Sequence, residues 1–324
     1  KMPNIKDVAN KANVSISTVS RVINNTYGVS EKTKLKVMEA VKSLNFTPNE
    51  IARNFQRGDT KIVAIIVPSI NDMFYSEFCY YAEKQLDRLG YRTIICSSIN
   101  SPRREIEYLK MMEQNKVSGI IAITYNDIDD YVKSDTPIVS LDRHFKNLKG
   151  YICSDNYEGG ILAVQKLVEK GSKKIAYVGT ETKVESETKK RKKGFIDEAV
   201  KLKVDHKIFL GSDEKQKSNL FNIVLNNFDG LDGVFVENDL IALEFIDYAT
   251  RFGYKIPEDI NVIGFDGIQK NNLFKPRLST IVQPIAKLGE EAVNMLMERL
   301  SGEQEIKKLI LPVSYFDGDT TRKI

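Results

Sequence analysis

The sequence is poor in the residues that build metal and disulfide chemistry. Its 324 residues hold three cysteines and two histidines. Cys79, Cys96 and Cys153 are odd in number, widely spaced and without a C-x-x-C pair. Neither a disulfide framework nor a zinc site is expected from them, and the plain reading is three buried thiols. Long apolar runs are scarce too. The longest near the start, Ile62–Val67, is six residues, against the roughly 20 of a membrane helix, and reads as a buried strand. Lys1–Asn25 has no apolar signal-peptide segment, so a cytoplasmic protein with no membrane partner is expected. Walker loops, G-x-G-x-x-G turns and G-x-S-x-G elbows are missing. With His144 and His206 in unlike contexts, a Ser-His-Asp set has no members. The expectation is no enzyme, no cofactor and no metal.

What is present is an ordinary globular composition, 42% hydrophobic and 28% charged, on a chain long enough for two or three domains. The net charge of +4 is unevenly placed. Residues 1–61 carry eight lysines and three arginines against five acids, a net of +6, which leaves −2 for the remainder. A small basic module ahead of a nearly neutral body suits a polyanion partner.

Residues 4–24 read as two short helices. Asn4 can cap the first, with Ile5, Val8, Ala9 and Ala12 on one face. Asn13 tolerates the left-handed turn that follows. Ser15 can cap the second, which turns Val19, Val22 and Ile23 inward. Ile16, Ser17, Thr18, Ser20 and Arg21 are left facing outward, a helix-turn-helix surface suited to a major groove. A third helix is expected from Ser30 to about Leu44, with Leu35, Met38, Val41 and Leu44 packing back. The alternative is a plain three-helix bundle with a solvated charged face.

The frame IKDVA…VS…TVSRV…N, followed by TPN-x-x-AR, resembles the headpiece of the LacI/GalR family of bacterial transcription repressors. The resemblance implies that Ile16, Ser17 and Arg21 face base edges while Asn4, Thr18, Ser20 and Asn24 face phosphates. NEIARNFQRG, after Pro48, is similar to the family's hinge helix, which folds in the minor groove and wedges an apolar side chain into a base step. Phe55 stands where the family usually has Leu; its alternative role is packing on the core.

From Ile62 onward, strand candidates alternate with helical stretches: 62–67, 93–96, 119–124, 137–141, 174–179, 207–211, 233–237 and 261–265. That alternation argues for parallel sheets in two lobes with a crevice at the strand carboxyl ends. PSINDMFYSEF, SLDRHF, SDNYEGG, RKKGF, VENDLIAL, DINVIGFDG and RLSTIVQP resemble, in order, the same family's core, which is similar to periplasmic sugar-binding proteins. The implied fold is an all-α headpiece (1–47), a hinge helix and linker (48–61) and an α/β core (62–324). Its lobes would be 62–155 with 284–315 and 156–283 with 316–324.

The matching segments imply an effector site of Asp72, Phe74, Tyr75, Asp142, Arg143, Arg191, Asn238, Asp266 and Gln283. Carboxylates, amides, guanidinium groups and aromatic faces together suit a sugar. Local alternatives stand beside each role. Asp142 and Arg143 could form a structural ion pair, and Phe74 and Tyr75 could be core at a helix start. Asp266 and Asn238 could be caps, and Arg191 could lie on a solvated basic face. The implied function is a homodimeric repressor reading a palindromic operator in double-stranded DNA. A small sugar would control it, a ribose-like pentose first and a sucrose-type fructoside second. A catabolite-type regulator controlled by a protein co-repressor is the alternative.

Overall fold

The computed structural model describes residues 3–24, 27–46, 60–133, 137–146, 150–181, 184–211, 217–268, 275–302 and 307–323. Phe55 and nearly all of the expected hinge helix lie outside them. The chain divides into two units, Lys1–Thr60 and Lys61–Ile324.

In the first unit, α1 (Ile5–Ala12), α2 (Ile16–Ile23) and α3 (Glu31–Ser43) surround a core of Val8, Ala9, Ala12, Val19, Val22, Val37 and Ala40. Asn4 and Asp7 form a reciprocal capping box on α1, and Asn13 ends that helix in the left-handed region at φ 51°. Ser15 and Ser30 cap α2 and α3. The face expected for α3 is corrected in part. Leu35 is 65% exposed and Met38 54%, while Val37 and Ala40 are buried and Val41 and Leu44 pack beside them.

The second unit holds two six-stranded sheets. Its elements in chain order begin with β1 (Ile62–Val67), α4 (Met73–Arg88), β2 (Arg92–Ser97), α5 (Pro102–Gln114), β3 (Gly119–Ile123), β4 (Ile138–Leu141) and β5 (Gly150–Ser154). They continue with α6 (Asn156–Glu169), β6 (Lys174–Thr180), α7 (Lys189–Lys201), β7 (Asp205–Gly211), α8 (Lys217–Asn226), β8 (Gly233–Val236), α9 (Asp239–Arg251) and β9 (Asn261–Asp266). The last are β10 (Ser279–Val282), α10 (Ile285–Leu300), β11 (Lys307–Leu311) and β12 (Ser314–Phe316). The sheet orders are β11-β5-β4-β3-β1-β2 and β12-β10-β9-β8-β6-β7, parallel except where β12 runs against β10.

Strands covered on both faces must be apolar throughout, and β1 (IVAIIV) is. Its period of two divides the core. Val63, Ile65 and Val67 pack under α4 and α10, whereas Ala64 and Ile66 pack under α5. The second sheet repeats the device, with Ala176 and Val178 facing α8 and α9 and Ile175 and Tyr177 facing α6 and α7. The chain passes from one sheet to the other between Ser154 and Asn156, between Val282 and Ile285, and between Leu311 and Ser314. The strand carboxyl ends meet at these crossings.

Candidate functional site

Within the first unit, α2 presents Ile16, Ser17 and Arg21 as exposed side chains. The other expected contacts are partly engaged in the helix ends. Asn4 Oδ1 accepts from Lys6 N and Asp7 N at 2.8 and 3.3 Å. Ser15 Oγ lies 2.7 Å from Ser17 Oγ and 2.8 Å from Thr18 Oγ1. Asn24 Nδ2 donates to Ser20 Oγ at 3.2 Å. These bonds fix the rotamers of short polar groups beside an exposed guanidinium.

Within the second unit, the central group is Arg191. Three of the four lysines around it are paired on the surface, Lys189 with Glu185, Lys190 with Glu187 and Lys193 with Asp197. Arg191 itself turns inward and is buried. Its Nε donates to Asn156 Oδ1 at 2.6 Å, its Nη1 donates to the Glu237 carbonyl at 2.7 Å, and its guanidinium lies over the Phe265 ring.

Asn156 in turn donates from Nδ2 to the Ser154 carbonyl at 2.9 Å and to Asp142 Oδ1 at 3.5 Å. Asp142 closes β4 in the left-handed region, φ 58°, and is buried. Burial raises its carboxyl to about 6; Arg191, Asn156 and Tyr125 oppose that rise and Glu187 adds to it. Tyr125 lies close enough to Asp142 and Tyr75 to lower the proton affinity of each. Burial holds both phenols well above their ordinary range.

Asp266 closes β9 at φ 126°, a strained conformation for a residue with a Cβ. Its Oδ1 accepts from Gln283 Nε2 at 2.7 Å, while Gln283 Oε1 is buried with no hydrogen-bond partner among the described residues. Beneath it, Asp239 accepts from Gly267 N, Ile268 N and Thr280 Oγ1, which fixes the turn after β9. Burial pushes both carboxyls up, and the neighbouring Asp239 adds to the rise at Asp266.

The structure thus brings Tyr75, Asp142, Arg191, Asp266 and Gln283 together, with Asp72 close enough to act on Tyr75 and Asp266. Asp72 also caps α4, accepting from Phe74 N at 2.8 Å. It does not bring in Arg143, which is 1% exposed and pairs with Asp129 at 2.7 Å inside the first lobe. That is an ion pair, but not the one with Asp142. Phe74 belongs to the core under α4. Asn238 caps α9, accepting from Ile241 N at 2.8 Å.

Sequence reasoning missed Tyr125, Asn156, Asp239 and Phe265. Tyr125 lies two residues beyond β3, so a search of the strand carboxyl ends would have found it. Asn156 heads the SDNYEGG turn. Among the described residues, no group of His, Cys, Asp and Glu could hold a metal ion, and no helix is long and apolar enough to cross a membrane.

Comparison with known proteins adds a family. Residues 4–49 match the model for bacterial regulatory proteins, lacI family, and residues 164–321 that for a periplasmic binding protein-like domain. The chain is 35% identical to the sucrose operon repressor of Streptococcus mutans over 98% of both chains. It is 33% identical to the ribose operon repressor of Bacillus subtilis over 99% of each. A solved periplasmic binding protein/LacI transcriptional regulator from Alkaliphilus metalliredigens, complexed with D-xylulofuranose, is 30% identical with a TM-score of 0.73. That likeness covers 81% of this chain and 100% of the other.

Proposed function

The chain belongs to the lacI family of bacterial regulatory proteins, and from that premise we propose that it is a homodimeric transcription repressor controlled by a small sugar. Two copies of the first unit read the half-sites of a palindromic operator, with Ile16, Ser17 and Arg21 toward base edges. Asn4, Thr18, Ser20 and Asn24 face phosphates. Phe55 wedges the minor groove between the half-sites.

The single observation that carries the effector reading is the buried polar centre built from both lobes. Arg191 and Asp266 come from the second sheet's side, Asp142, Tyr75 and Tyr125 from the first, and Asn156 and Gln283 from the crossings. Such a set can donate to and accept from adjacent hydroxyls, and the Tyr75 ring supplies a face for a sugar's C–H surface. The names of the sucrose and ribose operon repressors and the D-xylulofuranose complex support a pentose or a fructoside as the class.

A thermal-shift screen of the full chain against D-ribose, D-xylulose, D-fructose and sucrose tests the reading. A ligand that raises the melting temperature and weakens operator binding supports it. Stabilisation by none of the four, with operator binding unaffected by all, overturns it.

A further inference from the structure

A second set of contacts joins the lobes outside the polar centre. Glu187 lies just before α7, with its carboxylate mostly buried. Tyr151 Oη donates to Glu187 Oε1 at 2.6 Å, Lys190 Nζ pairs with Glu187 Oε2 at 2.7 Å, and Lys308 Nζ reaches Oε1 at 3.5 Å. Tyr151 is on β5 and Lys308 on β11, adjacent strands of the first sheet in which these two residues face each other in register. The Lys308 ammonium also sits 5.2 Å from the Tyr151 ring centre. Glu187 and Lys190 belong to the second lobe. Burial pushes the Glu187 carboxyl up, but hydrogen bonds from Lys190 and Tyr151 and both ammonium charges outweigh it, so it stays ionised below the ordinary carboxylate range.

The same residue also touches the site through its backbone. Glu187 N donates to the Asp142 carbonyl at 2.8 Å, where Asp142 holds its left-handed conformation. One short segment therefore bridges the lobes with its side chain and braces an effector-facing carboxylate with its main chain.

We propose that Glu187 is the positioning residue of an interlobe latch: held by Tyr151 and Lys308, it sets the spacing of the two lobes and, through its N–H, the placement of Asp142. The latch as a positioning device for ligand rests on the effector reading above; the latch as a tie between lobes does not. Its parts are unequal. The Tyr151 bond to a carboxylate is short, mostly buried and charge-assisted. The Lys308 pair is longer and more exposed, so it contributes less and weakens with salt. Losing the Tyr151 bond should change the ratio of closed to open lobes by about tenfold.

The test uses the full-length chain with spin labels on Arg104→Cys and Val200→Cys, exposed positions in the first and second lobe. The native cysteines are buried. Pulsed dipolar spectroscopy should give a narrow separation for the otherwise wild-type protein. Tyr151→Phe should add a second, displaced population, and Glu187→Gln should do the same, more strongly at low salt, where the lost ion pairs count most. In parallel, calorimetry with D-ribose and with sucrose should show about tenfold weaker binding of the preferred sugar in Tyr151→Phe. Tyr151→Phe keeps the packed ring, so a folded sample with unchanged separations and unchanged salt response overturns the latch. If neither sugar binds the wild-type protein, the effector reading fails while the separations still decide the latch. If separations shift but sugar affinity does not, Glu187 ties the lobes without positioning Asp142, and the proposal is overturned in that form.

Discussion

The guanidinium of Arg191 lies 3.6 Å from the centre of the Phe265 ring. An aromatic face and two acceptors hold the cation in a fixed plane, so its fork is oriented before any ligand arrives. Lysine can replace the charge but neither the plane nor the paired donors. Arg191→Lys should therefore abolish sugar-induced stabilisation, a loss of roughly 1.5–3 kcal/mol in affinity, while leaving operator binding within a few-fold of wild type. Thermal shift with the preferred sugar, alongside operator titration, checks both halves.

The approach of α6 to α7 is what delivers Arg191. A Cβ on Gly194 would meet the Tyr157 carbonyl oxygen at 2.1 Å, and one on Gly160 would meet the Arg191 carbonyl oxygen at 2.1 Å. In an exposed helix, Gly→Ala stabilises by about 0.5–1 kcal/mol. Here backbone faces backbone and neither side can yield, so overpacking of about 1–3 kcal/mol wins. Gly160→Ala and Gly194→Ala should each lower the melting temperature by several degrees and weaken sugar binding. An increase in melting temperature for either would contradict this packing argument.

Asp142 predicts a pH dependence of definite sign. Its folded-state carboxyl, raised from 3.8 to about 6, binds a proton more tightly than in the unfolded chain. The cost to folding is therefore absent below about 3.8, grows from there to about 6 and is complete above. The unfolding free energy of Asp142→Asn relative to wild type should shift in the variant's favour as pH rises through that window. Sugar affinity has the opposite need, since an ionised acceptor is required, and should fall as the wild-type protein is acidified below about 6. Calorimetric titration on both sides of that value measures it.

How much was legible in the sequence depended on whether a residue's role is local. Caps are local, and Asn4, Asn13 and Ser15 are where the pattern puts them, while Ser30, expected as the first residue of the third helix, is its cap. The third helix shows how a pattern misleads. Leu35, Met38, Val41 and Leu44 are the large apolar residues, but a strict spacing of three drifts about 60° per step and ends on the opposite face. Val37, Ala40, Val41 and Leu44 follow the i, i+3, i+4, i+7 row and include the two buried residues. β5, β10, β11 and β12 were missed because they are short and carry serine, lysine or cysteine within their apolar runs. Arg143 was assigned to the crevice although Asp129, fourteen residues earlier, takes its charge, a partnership that no spacing rule encodes. Asn156 and Tyr125 matter only because two sheets meet there.

In the first unit, the cap and the reading residues should separate experimentally. Asn4→Ala removes the α1 capping box and should cost about 1 kcal/mol of stability, with operator specificity unchanged. Arg21→Ala removes an exposed guanidinium and should cost roughly 1–3 kcal/mol of specific operator affinity with little loss of stability. Phe55→Ala should lower specific affinity while sparing non-specific binding. Melting curves and titrations against operator and scrambled duplexes sort the three.

The central claim is that occupancy of the interlobe centre and grip on DNA are one equilibrium. Its most direct measurement is a pair of titrations on the full-length protein, sugar into protein with and without operator, and operator into protein with and without sugar. Linkage requires the two affinity ratios to be equal, and a useful switch puts them at about 5–150-fold. Matching factors in that range are the predicted result; a sugar that binds tightly yet leaves the operator isotherm unmoved would contradict the account.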